Sequence, residues 1–383
     1  MPRPPHTNSS LDAVKGSVYS GLAHRLALHD GPVYPLHVGD TWLEPDKAVR
    51  LENFQVDSHP GMHRYTQVQG LGSLVDGIVQ WDRSRTGCPT ERDQILVTAG
   101  ATGGLAAVVG AMVEPGDEVL ILAPHWPLIA GHVASFGGQP VPVPFFDCVN
   151  NAQEAVDRVA AALTDRTVAI YWNTPSNPTG RVIPPPWLEA LAQWARRHNL
   201  WILADEVYEV IQFEGRHTYS RPLAPERTFA VHSFSKGFGM AGNRCGWVVG
   251  PSQTMPQVKK VSTHTFYSAP TASQLAGVRV LEGAADRWVH EARAAYQSVG
   301  NRVADRLGVA RAEGGTFLFL DVQSALDDRG LGGFLEDCVD RGLFIAPGPS
   351  FGPYPHHIRL CFTSIEPERT LAGVEILAGL MGR

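Results

Sequence analysis

A single lysine stands in the small-residue run "HSFSKGFGMAGNRCG", His232 to Gly246, with Ser233 before it and Arg244 eight positions after it. The chain is poor in this residue: Lys15, Lys47, Lys236, Lys259 and Lys260 are its whole supply, and arginine provides the other strong bases. An amine held among glycine and serine can form a Schiff base with an aldehyde cofactor. Ser233 and Arg244 can hold a phosphate by charge-assisted hydrogen bonds. Other reactive residue types close apolar runs. "LWILADEVYE" ends on Asp205 and Tyr208, and "TVAIYWNTPSNPTG" runs into a turn holding Asn177. "VTAGATGGL" brings Gly100, Ala101 and Thr102 to the start of a predicted helix, where free N–H groups and the helix dipole favour an anion. "EVLILAPHWPLI" sets Trp126 after an apolar stretch. Taken singly, these residues read as a surface amine, a helix cap, an Asn-Pro turn and a core tryptophan.

The elements that must position them follow from periodicity. "QILVT", "EVLILA", "TVAIYW", "LWILAD" and "TFAVHS" are short and rich in β-branched residues, as strands buried on both faces are. Segments such as "PPWLEALAQWARRHN", with prolines at the start and an apolar stripe behind, predict the intervening helices. The expected fold class is α/β: a large domain with a mainly parallel sheet covered by helices on both faces, plus a smaller α/β domain. Residues 1–46 are expected to contribute to the small domain and a substrate pocket, 47–282 to form the large domain and 283–383 the small C-terminal one.

Composition narrows the function classes. With 383 residues, 44% hydrophobic, a formal charge of -6 and a pI near 6.2, the chain offers no basic surface for nucleic acid or anionic membrane. Five scattered cysteines, never in a C-x-x-C pair, predict reduced thiols and neither a disulfide frame nor a metal site. No apolar run approaches the ~20 residues that span a bilayer, and "MPRPPHTNSS" has no apolar signal core. A cytoplasmic protein is expected.

Taken together, "SFSKGFGMAGNRCG", "NTPSNPTG" and "ADEVYE" resemble the signatures of fold-type I pyridoxal-phosphate enzymes, specifically class I/II aminotransferases. The resemblance runs from about Ser10 to Phe362. It implies pyridoxal 5'-phosphate bound to Lys236 as an imine, Asp205 against the ring nitrogen, and Asn177 and Tyr208 at the ring hydroxyl. Trp126 would stack on the ring, while Gly100, Ala101, Thr102, Ser233 and Arg244 would hold the phosphate. "HRYTQVQGLGSL" resembles the family's Y-T-P-x-x-G-L run, so Tyr65 would reach the phosphate of a partner subunit, implying a homodimer with shared sites. "APGPSFGPYPHHIRLCF" supplies Arg359 for the substrate carboxylate, and "LHVGDTW" supplies Gly39 beside it. Ser17 and Tyr19 of "VKGSVYSG", with Trp42 and His125, are expected in the pocket wall.

The implied activity is transfer of an amino group between an L-amino acid and a 2-oxo acid by a ping-pong route, with the Lys236 amine moving the α-proton. Gln67, Ala99, Asn243 and "GDTW" depart from the common pattern, and the last leaves the substrate side chain open. Two rivals remain at this level. One is a lyase, γ-replacement enzyme or cyclase of the same fold acting on a specialised amino acid in natural-product biosynthesis. The other is a transcription regulator with an aminotransferase-like sensor, for which the chain shows no helix-turn-helix segment.

Overall fold

Val14, Arg25 and residues 28–383 are described by the structure, a computed structural model. The apolar runs form strands at Ile95–Thr98, Glu118–Ala123, Thr167–Asn173, Trp201–Asp205 and Thr228–Ser233. All residues of Glu118–Ala123 and Thr228–Ser233 are buried, as covering on both faces requires. Side chains alternate between two cores. Ile170 and Trp172 pack with Leu191 and Trp194 of the helix Pro185–Arg197 on one face. Ala169 and Tyr171 pack on the other face with Leu105 and Val108 of the helix Gly100–Met112. That helix pair fulfils the expectation of an α/β layered domain.

Two strands were not expected from periodicity, and they complete a seven-stranded sheet. Gln139–Pro144 reads "QPVPVP"; proline cannot donate to a ladder, so this strand occupies the sheet edge beside Glu118–Ala123. Gly246–Val249 is only four residues long and runs antiparallel to both neighbours, Thr228–Ser233 and Ile95–Thr98. The double reversal leaves Ile95–Thr98 pointing the same way as the parallel strands.

A second sheet of three strands has His357–Cys361 in its centre, flanked by Ala346–Pro347 and Phe317–Asp321. The helices Asp286–Leu307 and Pro367–Leu380 cover it through Val303, Leu307, Val374 and Leu377. Tyr34–Pro35 pairs in parallel with Leu343–Phe344, tying the chain before residue 46 to this C-terminal lobe. Among the described residues no helix is long and apolar enough to cross a membrane.

Candidate active site

Because the strands share a direction, the segments leaving their C-terminal ends gather at one edge of the sheet, where open α/β sheets bind ligands. His125 and Trp126 follow Glu118–Ala123, Asn177 follows Thr167–Asn173, and Asp205 ends its own strand with Tyr208 just beyond. Ser233 ends the next strand, and Lys236 comes three residues later. The one reversed strand, Gly246–Val249, enters from this same edge, and Arg244 stands two residues before it. A cavity of about 160 Å³ results, lined by Ala101, Thr102, Trp126, Asn177, Asp205, Tyr208, Ser233, Lys236 and Arg244 among others.

Local backbone explains the crowding. Gly100 has φ +69°, and a Cβ there would meet Arg244 Nη2 at 2.6 Å, so glycine opens the space the guanidinium uses. Arg244 itself has φ 50°, a left-handed conformation uncommon for a residue with a side chain, and its Nη1 donates to Ala241 O at 2.8 Å. Ser233 and Ser235 hydroxyls share a bond of 2.9 Å. Hydroxyls, a guanidinium and a helix N-terminus thus line the same cavity.

The charges are set by burial. Asp205 is pushed up to about 6, chiefly by desolvation and against a hydrogen bond from Tyr171. The Tyr171 hydroxyl donates to Asp205 Oδ2 at 2.8 Å, and the Val207 N–H reaches Oδ1 at 3.4 Å. Burial pulls the Lys236 ammonium down from its ordinary value, with Arg359 and Arg244 adding to the fall against Asp40. Its Nζ donates to the Gly39 carbonyl. Burial also drives the Tyr208 phenol upward.

Arg359 comes from the central strand of the small sheet and is buried. Its Nη1 donates to Asn177 Oδ1 at 2.9 Å and its Nη2 to His37 O at 2.5 Å. The guanidinium lies 4.3 Å from the Phe317 ring centre and 4.8 Å from that of Phe351. Gly39 is required nearby, since a Cβ would meet Phe317 Cζ at 2.9 Å. Arg359, Gly39 and His125 line a second cavity of about 970 Å³, which shares Trp126, Asn177, Tyr208 and Lys236 with the first.

Not every expected residue joins these cavities. Tyr65 is 89% exposed and stands edge-on to Tyr267 at 5.3 Å. Trp42 turns away from the pocket and packs edge-on against Tyr296 at 4.8 Å, with Phe213 and Leu43 in the same apolar cluster. Ser17 and Tyr19 lie outside the described residues. Three residues escape the sequence reading. Tyr171 and Asn173 are strand positions, and Asn173 fixes the turn by accepting from Asn177 N at 2.6 Å and donating to Asp205 O at 2.8 Å. Ser235 stands one residue before the lysine and lines the cavity. The available signal was a phenol and an amide on one strand next to Asp205.

Residues 32–377 match the aminotransferase class I and II family, and the chain belongs to it. It is 34% identical over 338 residues to the arginine–pyruvate transaminase of Pseudomonas aeruginosa, covering 85% of this chain and 84% of that protein. It is 30% identical over 330 residues to the aspartate/prephenate aminotransferase of Thermus thermophilus, covering 84% of each. The solved structure of Thermus thermophilus aspartate aminotransferase with maleate superposes with a TM-score of 0.88 at 27% identity, over 98% of this chain and 100% of that one.

Members of this family use pyridoxal 5'-phosphate, and the residues present suit it. The buried Asp205 carboxylate is bonded to a phenol and not to a cation, which leaves it able to meet a protonated ring nitrogen. The hydroxyls of Thr102, Ser233 and Ser235 and the Arg244 guanidinium suit a phosphate, and Lys236 offers the only amine on the cavity wall among the described residues.

Proposed function

We propose that this protein is a pyridoxal-phosphate-dependent aminotransferase that moves an amino group between an L-amino acid and a 2-oxo acid, with Lys236 as its catalytic amine. One observation carries the reading: the partly buried amine of Lys236 and the buried carboxylate of Asp205 line one cavity that opens onto Arg359 through shared walls. Pyridoxal phosphate, when bound, supplies an aldehyde that condenses with amines and a ring that accepts the electron pair left on Cα when its proton departs.

The chain's own residues do the rest. Arg359 grips the substrate carboxylate with a planar, permanently charged fork, and the Phe317 and Phe351 rings hold that fork in place. Desolvation leaves Lys236 less basic than a surface lysine, so more of it is neutral and able to take the α-proton and return it. Asp205 stays oriented by Tyr171, Asn177 by Asn173, and Tyr208 and Trp126 bound the space above and beside them. Ser233, Thr102 and Arg244 hold the phosphate with the N-terminus of the helix Gly100–Met112.

We infer in addition a division into residues 1–46, 47–282 and 283–383, supported by the separation of the seven-stranded sheet from the three-stranded one. A homodimer is inferred from the exposed Tyr65–Tyr267 aromatic pair, with each Tyr65 serving the other subunit's phosphate. A cytoplasmic location is inferred from the five unpaired cysteines.

The test uses the cofactor-loaded protein. An amino acid alone should change the bound cofactor's absorbance once per site and release one 2-oxo acid, and a different 2-oxo acid should restore the original spectrum. Continuous turnover with the amino acid alone would replace this reading by elimination or cyclisation. A fall in mass to the monomer, without loss of activity, would remove the shared-site arrangement.

A further inference from the structure

Arg359 depends on a loop that reaches across from the small sheet to the large one. The arginine stands in the central strand of the small sheet, and one of the two rings against its guanidinium is that of Phe351. Phe351 is 1% exposed and lies in the connection between the strands Ala346–Pro347 and His357–Cys361. The same connection lines the larger cavity through Ser350, Phe351, Gly352 and Pro353. A planar fork recognises a carboxylate by its orientation, so whatever fixes this loop bears on substrate binding.

Two hydrogen bonds tie the loop to the end of the strand Glu118–Ala123. The His125 N–H donates to the Phe351 carbonyl at 2.9 Å. The Tyr354 hydroxyl donates to Asp147 Oδ1 at 3.1 Å, a residue 207 positions away in the chain. Both anchors rest on the same strand end. His125 comes just after it, while Phe145 and Phe146, which precede Asp147, donate their N–H groups to the Ala123 carbonyl at 2.9 and 3.2 Å. Between the two bonds the loop approaches that strand end closely: a Cβ on Gly352 would stand 3.6 Å from Ala123 Cβ.

Tyr354 is buried although its partner Asp147 is exposed. Its ring stands edge-on to Phe319 at 5.4 Å and to His357 at 5.3 Å, and Phe319 is edge-on to Phe351 at 5.8 Å. Phe319 is also the register partner of Arg359 on the neighbouring strand. Burial and the Asp147 carboxylate push the phenol upward from its ordinary value, so it keeps its proton and donates throughout the neutral range. Phenylalanine would pack against these rings as well as tyrosine does. What the hydroxyl adds is a fixed link to the other sheet.

We infer that Tyr354 is a positioning residue for the carboxylate-binding arginine: its hydrogen bond to Asp147 straps the small sheet's loop onto the large sheet and so sets Phe351, and through it Arg359, for the substrate. This rests on the aminotransferase reading of the same site, in which Arg359 takes the carboxylate of the amino acid and of the 2-oxo acid alike.

The experiment follows the absorbance of the cofactor-loaded protein. The twenty standard L-amino acids are tried first, and the fastest is titrated; pyruvate or 2-oxoglutarate, whichever restores the spectrum faster, is titrated in the return half-reaction. Tyr354→Phe should raise both half-saturating concentrations by the same factor, ~3- to 10-fold, the worth of one ordinary hydrogen bond. The limiting rates should change by less than ~2-fold, because the loss falls on binding. Asp147→Ala should reproduce the effect, and Asp147→Asn, which keeps the accepting oxygen, should stay within ~2-fold of the parent. The double variant Tyr354→Phe with Asp147→Ala should be no worse than either single one, as a shared bond requires. A hydroxyl that serves the fold alone would lower the melting temperature and leave both half-saturating concentrations unchanged. That result, factors that multiply in the double variant, or a rise for the amino acid without one for the 2-oxo acid overturns the inference and leaves the aminotransferase reading standing. Conversion of no amino acid, or restoration by neither 2-oxo acid, in parent protein that holds the cofactor overturns both.

Discussion

Two buried polar clusters lie back to back at the edge of the large sheet, and their charges are shifted in opposite directions. On the cavity side, desolvation moves Asp205 and Lys236 toward their neutral forms. Behind it, Glu206, Glu209 and His232 are equally buried, yet Glu206 is held below the usual carboxylate range and His232 above the usual imidazole one. The two sets are neighbours in the chain: Asp205 precedes Glu206, Tyr208 precedes Glu209, and His232 precedes Ser233. What differs is pairing. His232 Nδ1 meets Glu209 Oε2 at 2.6 Å, its Nε2 lies 3.8 Å from Glu206 Oε2, and His217 Nε2 lies 3.7 Å from Glu206 Oε1. Trp247 stacks on the imidazole at 5.2 Å and Trp81 stands edge-on at 4.9 Å. Below them, Arg221, Asp82 and Thr90 form a further buried set. The rear cluster sets acids against imidazoles within the fold; the front one has charges whose partners are ligands.

If that contrast is right, deleting a front charge should damage chemistry and spare the fold. Lys236→Ala should lower kcat by at least the ~10²–10⁴-fold attributed to one general acid–base group. The melting temperature of the cofactor-free protein should not fall, because the amine is buried at a net cost. Substantial unfolding of this variant would erase the distinction. Deleting a rear charge should do the reverse. Glu209→Ala leaves the His232 imidazole buried without its 2.6 Å partner, and denaturant titration should report a loss of ~3–5 kcal/mol. A loss below ~1 kcal/mol would mean the rear pair is not what holds this part of the sheet together.

The contrast also marks what could be read from the sequence. Lys236, Asn177, Asp205 and Arg244 stand at ends of apolar runs, in turns rich in glycine, proline and serine, where spacing and residue type carry meaning without knowledge of neighbours. The rear cluster offered no such signal. Glu206 and Glu209 carry no spacing that points to a partner, and only the pairing of strands 202–205 with 228–231 brings them to His232. Tyr171 was hidden for the same reason, being one more bulky residue in a buried strand until Trp201–Asp205 is laid beside it. The fold shows a parallel limit. Strands with β-branched residues were legible, whereas "QPVPVP" was not, since its prolines oppose strand formation and only an edge position admits them.

Stability against pH should separate the clusters a second time. Asp205 has a folded value raised to about 6 from 3.8, so its contribution is most favourable below about 3.8 and is lost as pH rises toward 6 in the cofactor-free protein. Asp205→Asn should therefore stabilise that protein above pH 6 by on the order of 2–3 kcal/mol and by little at pH 4. The rear groups instead contribute together between about 4.5 and 6.5 and lose that contribution on either side. His232, raised in the fold, contributes fully below the unfolded value near 6.5 and loses that contribution as pH climbs through its higher folded value. Glu206, lowered in the fold, contributes above about 4.5 and loses it on acidification. Melting curves of the apo-protein and of Asp205→Asn from pH 4 to 8 check both signs; an Asn variant less stable than the parent at pH 8 would contradict the front-cluster assignment.

The smallest effect tests a side-chain contact by which the fold reaches into the front cluster. Tyr171 is wholly buried, its neighbours in the core are apolar, and its hydroxyl donates to Asp205 Oδ2 at 2.8 Å. That bond favours the ionised carboxylate, while desolvation opposes it. Tyr171→Phe keeps the ring in its core and removes only the donor. The apo-protein should lose ~1 kcal/mol or less at acid pH, where a protonated Asp205 no longer needs the bond. At pH 8 the carboxylate should be harder to ionise, and affinity for pyridoxal phosphate, titrated by fluorescence, should fall by ~10-fold, the equivalent of one charge-assisted hydrogen bond. A uniform loss of stability at both pH values with unchanged cofactor affinity would make Tyr171 a packing residue only, and would move the boundary between the two clusters to Asp205 itself.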